Sequence, residues 1–482
     1  MSAALLVSLV GIVLIAALGF VGRRRPTADM SEWTVGGRKF GAATMWFLQA
    51  GEVFTTFTFL GMAGLAFTGG VAALYALPYV PLAYVGLYWL APVIWKRARA
   101  SGQMTMSDFL HGFYGSRLLA VLAAVLGVVF LLPYLQLQIT GLGLAVQLAT
   151  GNKASGNWSM VVAFVLTVAF VLWAGIRGVA TTSYFKDALM LVVLLVLVFL
   201  IPAHFAGGIG PTFTRVLAEH RGLLSVHAGT YDSTWFLTSM VASAIGVLFM
   251  TLPHQWPALL SADSPRSLRR NYVFLPIYSV CLALPMIIGF VAVLALPKGT
   301  SSNAALLALV GRALPGWAVG VVVVATAATA MVPAAGLIVG MSSLLARNVV
   351  PTRSDRAQFT VNQVSVVGVT ALALALALAR PDLLANLLLL TFSGLDQLIP
   401  AIGLALLARR LVGAAWVIAG IIVGEAVVIW LTFTDVYGGH INVGLIALVP
   451  NLVVVTVGML VHRGRGEVEA VPERAPAPVG AG

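Results

Sequence analysis

Glu52 is the residue whose type and position most strongly suggest chemistry. It lies in the apolar run 42–61, which is long enough to cross a bilayer. A carboxylate at membrane depth is costly unless it is paired, hydrated or protonated, so it marks a solute or ion pathway by default. Gly51 lets the helix open beside it, and Thr55 and Thr56 add hydroxyl groups. We therefore predict substrate contacts at Gly51, Glu52, Thr55 and Thr56, with Phe54 packing the apolar part.

A second interruption follows five spans later, as expected for an inverted repeat. Gly246 and Pro253 can both disrupt the helix near residues 234–258. Unpaired backbone at membrane depth is tolerated where it faces protein or a watery cavity. Two matched breaks predict a substrate chamber that includes Gly246, Phe249 and Trp256, with Pro253 as a gating position. The alternative is that glycine and proline only serve helix packing.

Two further polar positions fall inside apolar spans. Gln136 and Gln138 are two residues apart and face different sides of a helix, so one of them reaches a cavity; we choose Gln138, against a role in interhelical packing. Asp396 lies where Gly394 and Pro400 bracket a bend. It is predicted to be a gate or proton site, or else a paired structural carboxylate.

The composition indicates that these side chains are held by membrane-spanning helices. Of 482 residues, 60% are hydrophobic and 9% charged, and the mean hydropathy is +1.00. Soluble domains hold roughly 45–50% apolar residues, so this is an all-α polytopic membrane protein. The thirteen predicted spans are 4–22, 42–66, 72–95, 118–148, 157–175, 184–204, 234–258, 274–296, 314–346, 360–379, 383–407, 413–433 and 442–462.

The net charge of +12 follows the membrane topology. One set of alternate loops and the tail holds 22 of the 28 basic residues, and the other set holds 6: Lys153, Arg215, Arg221, Lys298, Arg312 and Arg380. This asymmetry predicts that the N-terminus lies outside and the C-terminus in the cytoplasm, and we expect the protein in the plasma membrane. Nucleic acid is not needed to explain the basicity. We expect the first span to be a retained helix, because Arg23, Arg24 and Arg25 follow its apolar run rather than precede it.

Several functional classes are disfavoured. Cys281 is the single cysteine, so a disulfide or a cysteine metal cluster is not expected. An enzyme is poorly supported, because the sequence has no clustered set of His, Asp and Glu near one membrane interface. No organic cofactor is expected. Residues 465–482 read as a disordered cytoplasmic tail, too short for the kinase domain of a membrane sensor. A channel remains an alternative, although it would not need paired broken helices.

An ordered set of motifs covers about residues 30–410: Arg38 to Gly41, Ala50-Gly51-Glu52, Phe59-Leu60-Gly61, Met106 to Leu110, Gln138 with Gly141, Gly175 to Gly178, Lys186-Asp187 and Gln397 to Pro400. In this order the motifs resemble those of the sodium:solute symporter family. The resemblance implies a LeuT-like 5+5 inverted-repeat core whose first and sixth helices are broken. It assigns residues 1–30 to an extra helix, 31–410 to the core and 411–464 to two further helices.

Further details are Leu252-Pro253-His254, Leu260-Ser261-Ala262, Arg269-Arg270-Asn271, Tyr184 to Leu189, Val332 to Ala335 and Ala346-Arg347-Asn348. They more closely resemble the monocarboxylate permease branch of this family, whose substrates include lactate and pyruvate. The resemblance implies import of a small organic anion coupled to a cation. Proline-type amino acids, acetate and pantothenate remain alternative substrates, and the oligomeric state is open; membrane lipid is the expected surrounding.

The resemblance also implies a sodium site with carbonyl ligands near Gly51, Phe54 and Thr329. Its two hydroxyl ligands would fall at Val332 and Pro333, which carry no side-chain oxygen. The coupling ion is therefore sodium or a proton, and in the second case Glu52 or Asp396 would carry the proton. The Lys186-Asp187 pair is expected at the membrane interface, where its span opens.

Overall fold

The computed structural model describes residues 3–23, 29–226, 229–297, 299–379, 384–407, 410–434 and 439–464. The described chain is helical, and an isolated β-bridge joins Phe40 to Ala262. The predicted tail 465–482 lies outside these residues, as do Arg24, Arg25, Lys298, Arg380 and Arg409, which entered the charge count.

The membrane helices follow the predicted order. Those of the N-terminal half are α1 Ala3–Val21, α2a Ala42–Val53, α2b Met62–Gly69, α3 Ala76–Ala100, α4 Arg117–Thr150, α5 Lys153–Ala174 and α6 Ile176–Ala206. Those of the C-terminal half are α7a Ser233–Leu248, α7b Gln255–Leu260, α8 Pro265–Ala295, α9 Gly316–Leu344, α10 Asp355–Ala379, α11 Leu384–Leu395 continued by Ile399–Ala405, α12 Ala414–Phe433 and α13 Val443–Gly464. Short helices at Met30–Val35, Met106–Tyr114, Ile209–Glu219 and Ala305–Ala313 lie between them.

Ten helices of the described chain are long and apolar enough to cross a membrane. The stretch Phe57–Ala100 counts as one of them but contains both α2b and α3, which are separated by a turn at Gly70 with a φ of 58°. Two shorter apolar helices, Met160–Ala174 and Ser233–Leu248, belong to α5 and α7a. Together these segments account for the thirteen predicted spans.

Helix α9 lies at the centre of the molecule. Nearly every residue from Val319 to Leu344 is buried, as expected for a helix that is apolar on all sides. Small residues allow its neighbours to approach closely: a Cβ atom on Gly320 would lie 2.9 Å from the carbonyl oxygen of Ala4 in α1. Glycines of α9 also face the interrupted helices: Gly336 lies against Glu52 of α2a, and Gly340 lies against His254 just before α7b.

Helix α6 begins earlier than the sequence predicted. The predicted span started at residue 184, but the helix begins at Ile176, so Lys186 lies about 15 Å along it at 1.5 Å per residue. Both Lys186 and Asp187 are buried, with exposures of 0% and 2%. The prediction that this pair sits at the membrane interface was wrong, because the two charges compensate each other inside the bundle.

Candidate substrate and cation site

The first break lies between α2a and a π-helical segment, Phe57–Gly61, which continues directly into α2b. Helix α2a ends at Val53, and Phe54 adopts an extended conformation with a φ of −85° and a ψ of 94°. The Thr55 hydroxyl then accepts a hydrogen bond from the Phe57 backbone N–H at 3.2 Å. Gly51 was predicted to interrupt the helix, but it lies inside α2a, and the backbone leaves the helix three residues later.

Gln138 on α4 meets this break directly. Its Oε1 atom accepts a hydrogen bond from the Thr56 backbone N–H at 3.1 Å, and its side chain is fully buried. Gly141, one turn further along α4, packs against the Thr56 methyl group so closely that it leaves no room for a Cβ atom. Gln138 thus satisfies a donor freed by the break, and its predicted contact with substrate stays a prediction.

Lys186 satisfies the acceptors freed by the same break. Its Nζ atom donates to the carbonyl oxygens of Gly51 at 3.0 Å and Phe54 at 2.7 Å. The same Nζ lies 2.6 Å from Asp187 Oδ1, which also accepts from the Tyr278 hydroxyl at 3.2 Å. An ammonium group with three donors thus meets three oxygens.

The second break follows α7a. This helix ends at Leu248, Phe249 caps it with a hydrogen bond to Ile245, and Met250 has a positive φ of 55°. Thr251 donates to the Gly246 carbonyl oxygen from its N–H at 3.0 Å and from its hydroxyl at 3.1 Å. As at Gly51, the glycine lies within the helix and the interruption follows it.

Trp256 and Pro253 hold the second break from its far side. The Trp256 indole N–H donates to the Met250 carbonyl oxygen at 2.7 Å, and the ring is fully buried against Phe109. The Pro253 ring packs on Gly127 of α4, where a Cβ atom would lie 2.8 Å from it. The structure therefore places Trp256 as a support of the backbone, where the sequence predicted a substrate contact.

Asp396 faces the last turn of α7a. A Cβ atom on Gly246 would lie 2.5 Å from Asp396 Oδ1, and the Thr251 hydroxyl faces the same carboxylate. Asp396 is fully buried at the turn between the two parts of α11. The residue thus lies against the second break, and its predicted role as a gate or proton site stays a prediction.

One narrow cavity connects the two breaks. Its lining residues are Gln49, Glu52, Val53, Tyr84, Leu87, Met250, Gln255 and Tyr272. Glu52 is 3% exposed, and its Oε1 atom would lie 3.0 Å from a Cβ atom on Gly336 of α9. Of the predicted site residues, Glu52 is among those that line this cavity, whereas Gly51, Phe54, Thr55, Thr56, Gln138, Gly246, Phe249 and Trp256 are not.

Sequence reasoning missed a polar cluster beside Glu52. The Asn271 amide donates to Gln49 Oε1 at 2.5 Å, and the Gln49 amide donates to the Tyr272 hydroxyl at 3.4 Å. Gln49 lies three residues before Glu52 and so shares its helix face, a spacing that could have indicated the cluster. Asn271 belongs to α8, whose first turns the sequence placed outside the membrane.

A larger cavity of about 550 Å³ lies to one side, between α2a, α6 and α8. Its lining residues are Ala42, Ala43, Trp46, Phe47, Leu191, Arg270, Asn271, Phe274, Ile277, Tyr278 and Cys281. These side chains are mostly apolar. Asn271 lies in this cavity and joins it to the polar cluster.

The α9 side of the first break offers few oxygens. The Thr329 hydroxyl donates to the Thr326 carbonyl oxygen at 2.8 Å within the helix. Val332 and Pro333, which stand where the family's hydroxyl ligands were expected, are buried and have no side-chain oxygen. The carbonyl oxygens of Gly51 and Phe54, which were predicted to bind sodium, accept hydrogen bonds from Lys186.

The broken helices around a shared cavity define a LeuT-fold transporter, and similar solved structures agree. A Na⁺-coupled sialic acid symporter, in a substrate-bound outward-open state, superposes with a TM-score of 0.79 at 15% identity, covering 96% of this chain and 98% of that one. MhsT in complex with L-phenylalanine gives a TM-score of 0.57 at 14% identity, covering 85% and 97%. These similarities establish the fold.

Sequence comparison establishes the family. The sodium:solute symporter family profile matches residues 33–424, and the chain belongs to this family. The uncharacterized symporter YhjB of Bacillus subtilis (strain 168) is 33% identical over 96% of this chain and 98% of its own length. The monocarboxylate transport permease protein of Rhizobium johnstonii is 31% identical over 81% of each chain. The protein is therefore an integral membrane symporter of the cation-coupled type, and the second relative supports the monocarboxylate branch.

Proposed function

We propose that this protein imports a short monocarboxylate into the cytoplasm, by alternating access and in symport with a cation. The observation that carries the proposal is the narrow cavity that both helix breaks share, at which Glu52 and Met250 meet. Binding at such a junction lets one solute contact both halves of the repeat, which is what alternating access requires. Transport rather than catalysis is its function.

The cavity has a volume of about 10 Å³, which holds about one water molecule, so it must widen during the transport cycle to admit a solute, and its lining suits a small polar one. Gln49, Gln255 and the Tyr272 hydroxyl supply hydrogen-bonding groups, and Leu87 and Met250 supply apolar surface. A carboxylate beside Glu52 would bring two like charges together, so a proton shared between them would favour binding.

Uptake in proteoliposomes tests the proposal. The full chain would be reconstituted and given radiolabelled lactate, pyruvate, acetate, alanine, proline and pantothenate under separately imposed sodium and proton gradients. Saturable accumulation of lactate or pyruvate against its gradient is the expected result. Accumulation of proline or pantothenate alone would show that the substrate is not a monocarboxylate. Downhill, non-saturable flux would indicate a channel.

A further inference from the structure

The ammonium group of Lys186 contacts two backbone oxygens that the family resemblance assigns as sodium ligands. Its Nζ atom is 3.0 Å from the Gly51 oxygen and 2.7 Å from the Phe54 oxygen. The lysine is fully buried, so its charge faces these groups without screening by water. A cation is therefore already present at the end of α2a, and it belongs to the chain.

The physical need for a cation here comes from the break itself. The last carbonyl groups of α2a have no partners within the helix, and the helix dipole makes this end negative. In the membrane, carbonyl groups left without partners are costly. Lys186 donates to two of the carbonyls, while Asp187 balances its charge at 2.6 Å.

The residues present do not fit a sodium ion at the same place. A hard cation needs several oxygen ligands around it. Val332 and Pro333, where the two hydroxyl ligands were expected, offer no side-chain oxygen. A sodium ion on the Gly51 and Phe54 oxygens would also have to lie against the positive charge of Lys186, which repels it.

We propose that Lys186 takes the place of sodium at this site, and that uptake consequently requires no sodium. The lysine acts as a positioning residue: its hydrogen bonds to the Gly51 and Phe54 oxygens hold the backbone of the first break in place. The uptake part of this inference rests on the proposed function, whereas the binding part does not. The two can therefore fail separately.

Thermal unfolding of the purified full chain tests the binding part. The midpoint would be measured in sodium, potassium and choline chloride at equal ionic strength, for the wild type, Lys186→Ala and the exposed-lysine control Lys96→Ala. The wild type and the control are expected to unfold at the same temperature in all three salts. Lys186→Ala removes the donor of the Gly51 and Phe54 oxygens and leaves Asp187 without its cation, so it is expected to unfold at a lower temperature than the wild type in all three salts. A saturable, sodium-specific stabilisation of the wild type would overturn the proposal.

A second variant covers the case in which Lys186→Ala does not fold because Asp187 is left unpaired. Lys186→Met combined with Asp187→Asn removes both charges, and we expect it to fold with an uptake rate at least tenfold below that of the wild type. If this variant takes up solute at the wild-type rate, the ammonium group is not needed and the proposal is overturned.

Uptake by the wild type gives the second readout. With sodium replaced by choline at fixed pH, the initial rate is expected to stay within twofold. A rate that falls more than tenfold would reject the assignment of Lys186 while supporting transport. If no carboxylate is taken up in any salt, the proposed function fails, and the unfolding experiment still decides whether the lysine replaces sodium.

Discussion

At the scale of single residues, Glu52 has a defined environment. It lies on the cavity face of α2a, beside Gln49 of the same helix and against Gly336 of α9. The glycine allows the carboxylate to fit, because a side chain there would touch Glu52 Oε1. Glu52 thus remains our candidate for the group that couples solute to proton, and its role remains a prediction.

Glu52→Gln should remove the charge and keep the shape. We expect uptake to fall roughly tenfold or more, which corresponds to about 1.4 kcal/mol of lost transition-state stabilisation. The measurement is the initial uptake rate under a proton gradient. Glu425→Gln in α12 is the matched control, because Glu425 is also buried, with 7% exposure, but lies outside the cavity. Undiminished uptake by Glu52→Gln would remove this residue from coupling.

Gln138 allows a second prediction, about stability. Gln138→Ala leaves the Thr56 N–H without its acceptor, and an unsatisfied buried donor costs about 1–3 kcal/mol. We expect a lower unfolding midpoint than that of the wild type in the same detergent. Gln147→Ala, at an exposed position of the same helix, should leave the midpoint unchanged. Equal effects of the two substitutions would contradict the role of Gln138 at the break.

At the scale of elements, each break is located by the side chains that satisfy it. Lys186 and Gln138 compensate the first break, and Thr251 and Trp256 compensate the second. The glycines that drew attention in the sequence lie one turn earlier and act differently. Their missing side chains let Ser183 approach Gly51 and let Asp396 approach Gly246.

Gly141 tests how closely α4 must approach the first break. Gly141→Ala would bring a Cβ atom onto the Thr56 methyl group, so we expect lower stability and slower uptake. Adding Thr56→Ser removes that methyl group and should restore part of both. Gly368→Ala in α10 is the control: nothing lies within 4 Å of its Cβ position, and alanine should stabilise the helix by roughly 0.5–1 kcal/mol. Failure of the double variant to improve on Gly141→Ala would contradict this steric explanation.

The elements also show how far sequence reasoning reaches. Helix number, order and the presence of two breaks could be predicted, because hydropathy and helix-breaking residues act locally. The role of Lys186 could not, because a lysine near the predicted start of a span usually marks the interface. Its burial depends on Gly51 and Phe54, which are more than 130 residues away in the chain. Asn271 was missed for the same reason.

At the scale of the whole molecule, the family and fold establish a membrane symporter, while its orientation remains a prediction. The excess of basic residues on one side predicts that the connection after α9 lies in the cytoplasm and that the connection after α8 lies outside. These two connections hold the exposed residues Arg353 and Ser301.

Single cysteines test this orientation in a Cys281→Ser background, since Cys281 is the only native cysteine. An impermeant maleimide applied to intact cells should label Ser301→Cys and should label Arg353→Cys only after the cells are opened. Labelling in the reverse order would invert the topology and the predicted direction of import.

The positive charge of Lys186 is part of the chain and cannot dissociate, and this affects whether transport carries an electric current. A dissociable ion adds its charge to each transport cycle, and one charge that crosses the membrane gains about 2.3 kcal/mol per 100 mV. An ammonium group fixed to α6 returns with the chain and transfers no net current. If the solute anion then enters with one proton, the cycle is electroneutral. Accumulation would follow the pH difference across the membrane and would be insensitive to its voltage.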